Sequence, residues 1–219
     1  MKNLTKGVIA LMMMVSSITS SAQISQGGTP YSFSNTIQFH NKSAATFLME
    51  SPDLAVLAAE DAMVDQRQEY RVGINLPVNL NVNNSGKWQV LPNGGRIWRL
   101  VIHSEDAMAL GLYYNNFYVP NGGQVFIYNE TKDHVIGAFT AANNIQDQIR
   151  ATQMIEGETL TIEYYEAPGT IGLPAIEIKE VVYFYRGVED FVNQIALARD
   201  GVLTYGLNKA ESCQVDVAC

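Results

Sequence analysis

The sequence predicts an all-β fold: an antiparallel β-sandwich, jelly-roll-like, with a short N-terminal helix and a partly helical C-terminal connector. Three observations carry this. From Tyr70 to Val82 the large apolar residues Tyr70, Val72, Ile74, Leu76, Val78, Leu80 and Val82 all fall on even positions, which puts them on one face of an extended segment. About eight to ten such short runs follow one another, separated by Gly, Pro and Asn turn signals. No helix long enough to connect parallel strands lies between them, and no internal repeat points to a propeller or solenoid.

The elements follow in chain order. Residues 1–22 read as a secretory leader: Lys2 and Lys6 make a positive start, Gly7 to Val15 is apolar, and Ser20-Ser21-Ala22 supplies small residues before cleavage between Ala22 and Gln23. The apolar stretch is about half the ~20 residues that a spanning helix needs, so a membrane anchor is not expected. Removing the leader takes two positive charges from a net charge of −8, to about −10. The exported remainder is markedly acidic. It lacks the clustered Lys and Arg that neutralise phosphates, so a nucleic-acid partner is excluded. With 47% hydrophobic and 16% charged residues it is globular, and two cysteines are too few for a disulfide-built miniprotein.

Residues 23–69 form an N-terminal extension. Within it Ser51-Pro52-Asp53 predicts a helix start, with Ser51 as cap, and Leu54, Leu57, Ala58 and Ala62 continue at helical spacing to about Val64. Residues 70–187 are the sandwich. In the first strand Pro77 lies opposite the apolar face, which places that strand at an edge because proline cannot donate to a ladder. After the Asn84-Ser85-Gly86 turn come Trp88 and Val90, then Pro92 to Gly95. The next strand, Ile97 to His103, has Trp98, Leu100 and Ile102 on one face and Arg99 and His103 on the other. Further runs are Leu110–Tyr114, Phe117–Val119, Gln124–Tyr128, Val135–Thr140, Thr152–Ile155, Thr159–Tyr165 and Ile176–Tyr185. Residues 188–209 are a connector in which Val188, Phe191, Val192 and Ile195 have helical spacing, and residues 210–219 open another domain.

Catalytic motifs are missing. His40, His103 and His134 are not at metal-ligand spacing, there is no CxxC pair, no GxSxG elbow and no glycine-rich phosphate loop. No cofactor is expected. Glu156, Glu158, Glu163 and Glu166 could suggest a glycosidase pair, but acids on a solvent face explain them more simply. Tyr113, Tyr114, Phe117, Tyr118, Tyr164, Tyr165, Tyr183 and Tyr185 include adjacent pairs, so some face outward. This keeps a second reading open, a secreted or cell-surface carbohydrate-binding or adhesive module with glycan as partner. Tyrosine bridging a core and a wet surface is the plainer account. At the C-terminus Cys213 and Cys219 could bond each other. If the segment between them is extended, however, their Cα atoms stand ~20 Å apart and their partners lie outside this sequence.

Gly95-Arg96-Ile97-Trp98-Arg99-Leu100, Tyr118 to Tyr128, Ile136-Gly137-Ala138-Phe139-Thr140, Glu163 to Pro168 and Val182 to Gly187 together carry a resemblance. In this order, closed by Ser212-Cys213-Gln214-Val215-Asp216-Val217-Ala218-Cys219, they resemble the N-terminal pro-region of secreted bacterial trypsin-like serine endopeptidases of the lysyl endopeptidase type. The resemblance covers about Trp88 to Cys219. It implies a zymogen fragment that is not itself an enzyme, because in that family the His, Asp and Ser triad lies beyond the opening cysteines. It implies that the partner is the cognate catalytic domain in cis, that Cys213 and Cys219 bond to that domain, and that cleavage falls in the connector. Lys209-Ala210 suits a lysine-preferring protease acting on its own precursor, and Arg199-Asp200 is a second candidate.

Overall fold

The computed structural model describes residues 26–33, 44–63, 70–144 and 150–187. The leader, the 188–209 connector, the Lys209–Ala210 bond, Cys213 and Cys219 lie outside them. The described chain is mostly β-structure, arranged in two sheets whose pairings are antiparallel with one exception. Strands β1 (Ala45–Leu48), β3 (Lys87–Val90), β4 (Arg96–His103), β6 (Gly123–Asn129), β7 (Val135–Phe139) and β10 (Thr159–Glu166) form the six-stranded sheet. Strands β2 (Gly73–Asn81), β5 (Ala109–Tyr118), β8 (Arg150–Ala151), β9 (Ile155–Glu156) and β11 (Ala175–Phe184) form the five-stranded sheet. Helix α1 (Leu54–Met63) precedes β2, and a 3-10 turn covers Tyr31–Phe33.

In the six-stranded sheet β10 lies between β4 and β6, with β7 beyond β6. The other edge of β4 is shared: β3 pairs antiparallel with Arg96–Arg99, while β1 pairs parallel with Leu100–His103. In the five-stranded sheet β11 lies between β2 and β5, and β8 and β9 share the outer edge of β5. The two strands latest in sequence thus occupy the middle of the two sheets.

The register explains the core. Ile162 stands between Leu100 and Ile127, Tyr164 between Trp98 and Val125, and Leu160 between Ile102 and Asn129. These alternate residues of β10 are buried with Leu110, Leu112, Tyr114 and Phe117 of β5 and Ile176, Ile178, Val181 and Tyr183 of β11 in one cluster. Side chains of both sheets therefore share one core, where removing a buried Leu or Ile side chain to Ala costs about 2–5 kcal/mol. Trp98 is fully buried, and its indole N–H donates to the Ser85 carbonyl at 2.9 Å. Gly86 in that turn has φ +71°, and a Cβ there would stand 2.5 Å from the Trp98 ring.

The even-position face of β2 packs inward, and β2 is an edge strand with Pro77 opposite Glu180, as its proline predicts. Several expectations need correction. The separate runs Leu110–Tyr114 and Phe117–Val119 are one strand, β5, interrupted by a bulge at Asn115. The extra residue switches the buried set from even to odd positions, which in sequence looks like a break. Lys179 does the same on β11, between Ile178 and Val181. Of the Thr152–Ile155 run only Ile155 is in a strand, β9; β8 precedes the run, and Thr152 between the two exchanges bonds with the backbone of Leu112. The helix cap is Asp53, whose carboxylate accepts from the amides of Ala55 (2.9 Å) and Val56 (3.2 Å). Ser51 instead donates its hydroxyl to the Glu105 carbonyl at 2.7 Å, which ties the helix entry to the β4–β5 turn.

Candidate functional site

Three polar assemblies interrupt the apolar plan, and each has a distinct position. The first covers the outer face of the six-stranded sheet. Residues 99, 161, 163 and 165 point away from the core, yet Glu163 is fully buried and Arg99 and Thr161 nearly so. What buries Glu163 is the segment Gln26–Phe33, 131 positions away in the chain. The Ser32 N–H donates to Glu163 Oε1 at 3.0 Å, and the Tyr128 hydroxyl donates to Oε2 at 2.9 Å. The Ser32 and Tyr128 hydroxyls are 3.1 Å apart and share a further bond. Arg99 stands opposite Glu163 in the register.

Rings frame these bonds. Tyr31 stacks on Tyr165, with centroids 4.5 Å apart and planes 7° apart, and Phe33 meets Tyr128 edge-on at 4.8 Å. The Lys132 ammonium lies 5.1 Å from the centre of the Phe33 ring. Burial, then the neighbouring Glu163 carboxylate, pushes the Tyr128 hydroxyl far above its ordinary pKa, so it stays protonated and remains a donor.

The second assembly lies where β11 ends. Asp61 of α1 receives Arg71 Nη2 on Oδ1 at 2.8 Å, and Arg186 Nη2 on Oδ2 at 2.7 Å. The Tyr185 hydroxyl also donates to Oδ2 at 2.7 Å. Arg186 donates from Nη2 to the Arg71 carbonyl at 2.6 Å, and its guanidinium lies 4.2 Å from the Tyr70 ring centre. Arg71 also reaches Glu60 and the Leu57 carbonyl. This clamp joins the helix, the entry to β2 and the exit from β11.

The third assembly is at the opposite end of the strands. Arg96 and Glu166 make a charge contact at 2.9 Å without an aligned hydrogen bond, and the Arg96 guanidinium lies 4.3 Å from the Trp88 ring centre. The pair floors a cavity of about 170 Å³ bounded by Val90, Gly94, Ala167 and Thr170. Val90, Ile171 and Leu173 around this end are 78%, 89% and 78% exposed.

The acids do not pair as a glycosidase dyad would. Glu163 and Glu166 are three apart on one strand and so face opposite sides of the sheet. Their expected solvent exposure is also wrong, since both are buried, under the N-terminal segment and beside Arg96 respectively. Glu156 and Glu158 are exposed at the β9–β10 turn, where Glu158 accepts from the Asp106 amide at 3.1 Å. His103 bonds Thr159 at 3.0 Å through Nδ1, and His134 Nδ1 accepts from the Glu156 amide at 3.4 Å; His40 lies outside the described residues. No group of three or more His, Cys, Asp or Glu is placed to hold a metal among the described residues. Of the eight aromatic residues weighed as a platform, Tyr114, Phe117, Tyr164 and Tyr183 are in the core, Tyr165 is covered by Tyr31, and Tyr118 is exposed. No helix among the described residues is long and apolar enough to cross a membrane.

No family model matches the sequence, and no solved structure matches the fold. The Glu163 assembly was not foreseen from sequence, because its partner segment carries no pattern that says where it docks.

Proposed function

We propose that this chain is the pro-region of a secreted trypsin-like serine endopeptidase, folding as a β-sandwich of jelly-roll type that templates and masks a catalytic domain lying beyond it. The observation that carries the reading most is the clamp at Arg186. Among the described residues the last strand ends at Phe184, and Asp61 and Arg71 hold the chain at Arg186 as it leaves the sheet. A unit that closes before a connector and a cysteine-bearing segment is what a cleavable pro-region requires. The quoted resemblance supplies the class of parent.

In this reading the two sheets pack face to face. The shared core supports that, as do the connections: β4 to β5, β5 to β6, β9 to β10 and β10 to β11 each pass from one sheet to the other. We assign Val90, Ile171 and Leu173, exposed at the end of the strands remote from the Arg186 clamp, as the face offered to the catalytic domain, although Leu48, Met63 and Met108 are also exposed elsewhere. Residues 188–209 could span up to about 70 Å when extended, enough to bring the following domain to that end. Cleavage at Lys209–Ala210 then separates the two parts.

The test is refolding. The denatured catalytic domain of the parent precursor should regain peptidase activity with this chain added in trans and fail without it. Equal recovery in both, or a transcript with no His, Asp and Ser triad encoded after Cys219, overturns the proposal.

A further inference from the structure

We infer that the outer face of the six-stranded sheet is a peptide-binding groove selective for an aromatic–serine–aromatic segment, and that Gln26–Phe33 is the ligand the chain carries for it. The groove has a backbone part and a side-chain part. On β7 a bulge sets Gly137 and Ala138 opposite the single residue Phe126. It leaves the backbone of Ala138 to bond outward: the Gln26 N–H donates to its carbonyl at 3.1 Å, and its own N–H donates to the Gly27 carbonyl at 3.0 Å. These two main-chain bonds anchor the segment at the sheet edge without extending the ladder, and side-chain pockets supply the selectivity.

The pockets follow. Tyr165 offers a ring face to Tyr31, and Tyr128 with Lys132 receives Phe33. Between them Glu163 takes the Ser32 N–H, while Tyr128 meets the Ser32 hydroxyl. Pro30 is buried in the same segment. An apolar residue at position 163 would suffice to hold a cover over Phe126, Tyr128 and Ala138, which already form a small apolar cluster there. A fully buried carboxylate is costly to desolvate and adds direction: Tyr128 of the sheet itself serves Oε2, while Oε1 takes a main-chain N–H from the occupant, which any residue except proline can bring. Discrimination among segments comes from the side chains, the Ser32 hydroxyl against Tyr128 and the rings of Tyr31 and Phe33 against Tyr165 and Tyr128. Because the occupant is tethered, it competes at an effective concentration of the order of millimolar, so a free peptide binds in proportion to how far the tethered one is weakened.

The test uses the whole chain and a fluorescent peptide with the sequence of residues 26–33. Full-length protein carrying Tyr31→Ala and Phe33→Ala should bind it saturably, at least ~10-fold more tightly than the unaltered chain. Adding Glu163→Gln, which keeps the shape and removes the charge, should weaken that binding at least ~10-fold. Absence of saturable binding by a strap variant that keeps the far-ultraviolet dichroism and cooperative melting of the original overturns the inference. So does binding indifferent to Glu163→Gln. Should the strap variant not fold, hydrogen exchange on the unaltered chain decides: excess unlabelled peptide should deprotect the Ser32 amide and leave Ala138 protected, and unchanged Ser32 protection refutes the groove. A dimer that dissociates on adding peptide supports it, with the second copy's segment as the occupant. None of these outcomes depends on the protease reading.

Discussion

Replacing Asp61 with Ala should release helix α1 without unfolding the sheets. The helix has 10 residues and buries only Leu57, and a helix of that length is marginal on its own in water. What holds it is the Asp61 carboxylate, 9% exposed, against two guanidinium groups and the Tyr185 hydroxyl. Removing one partner of a fully buried ion pair costs about 3–5 kcal/mol. Here Arg71 and Arg186 are 35% and 22% exposed and keep other partners in Glu60, the Leu57 carbonyl and the Arg71 carbonyl. Water and those partners recover part of the loss, which leaves about 2–3 kcal/mol. Amide exchange in α1 should then accelerate by about 30- to 150-fold, at about 1.4 kcal/mol per decade, while core amides such as Ile162 and Val181 stay protected. In a double-mutant cycle Asp61→Ala and Arg186→Leu should couple by more than ~0.5 kcal/mol. Unchanged exchange in α1, or strict additivity, would refute the view that charge rather than apolar burial docks this helix.

Other outcomes follow from the same geometry. Burial raises the pKa of Tyr128, Tyr164, Tyr183 and Tyr185 above the ordinary value, with Glu163, Glu166, Asp106 and Asp61 respectively adding to it. The folded state thus holds these protons more tightly, so stability is intact below pH ~10 and falls as pH rises through the raised values. Urea midpoints measured from pH 8 to 11.5 should drop above pH ~10, and Tyr128→Phe should flatten that drop. Gly137 has φ +121° and a Cβ there would stand 2.5 Å from the Val125 carbonyl oxygen, so Gly137→Ala should cost at least ~2 kcal/mol by chemical denaturation. In the precursor Lys209→Gln should stop the appearance of a product beginning at Ala210, read by mass spectrometry. Ile171→Asp with Leu173→Asp should weaken inhibition of the catalytic domain at least ~10-fold while leaving the melting temperature within about 2 °C, since both side chains are exposed.

Period-two patterning made most of the fold readable, because burial on one face leaves a mark at every second residue. It carried β4, β6, β7, β10 and β11 to within one residue of their bounds, and β2 to within three at its start. It failed where a bulge shifts the phase at Asn115 and split β5 into two runs, and where a strand is too short to show a period, as in β1, β8 and β9. The candidate site was less legible for a related reason. Alternation says which residues point away from the core, and Arg99, Tyr128 and Glu163 do so. It cannot say that a segment from the far end of the chain returns to cover them. Asp61 and Arg186 were equally silent, since an ion pair joining a helix to a strand terminus 125 positions later has no local signature.

The measurement that bears most directly on the pro-region account is intact-mass and N-terminal analysis of the product of the gene that encodes this chain. The account predicts two species, one ending at Lys209 and containing both sheets, the other beginning at Ala210 with peptidase activity and with Cys213 and Cys219 bonded to cysteines beyond residue 219. A single uncleaved species without peptidase activity, or one in which Cys213 and Cys219 are bonded to each other, would contradict it.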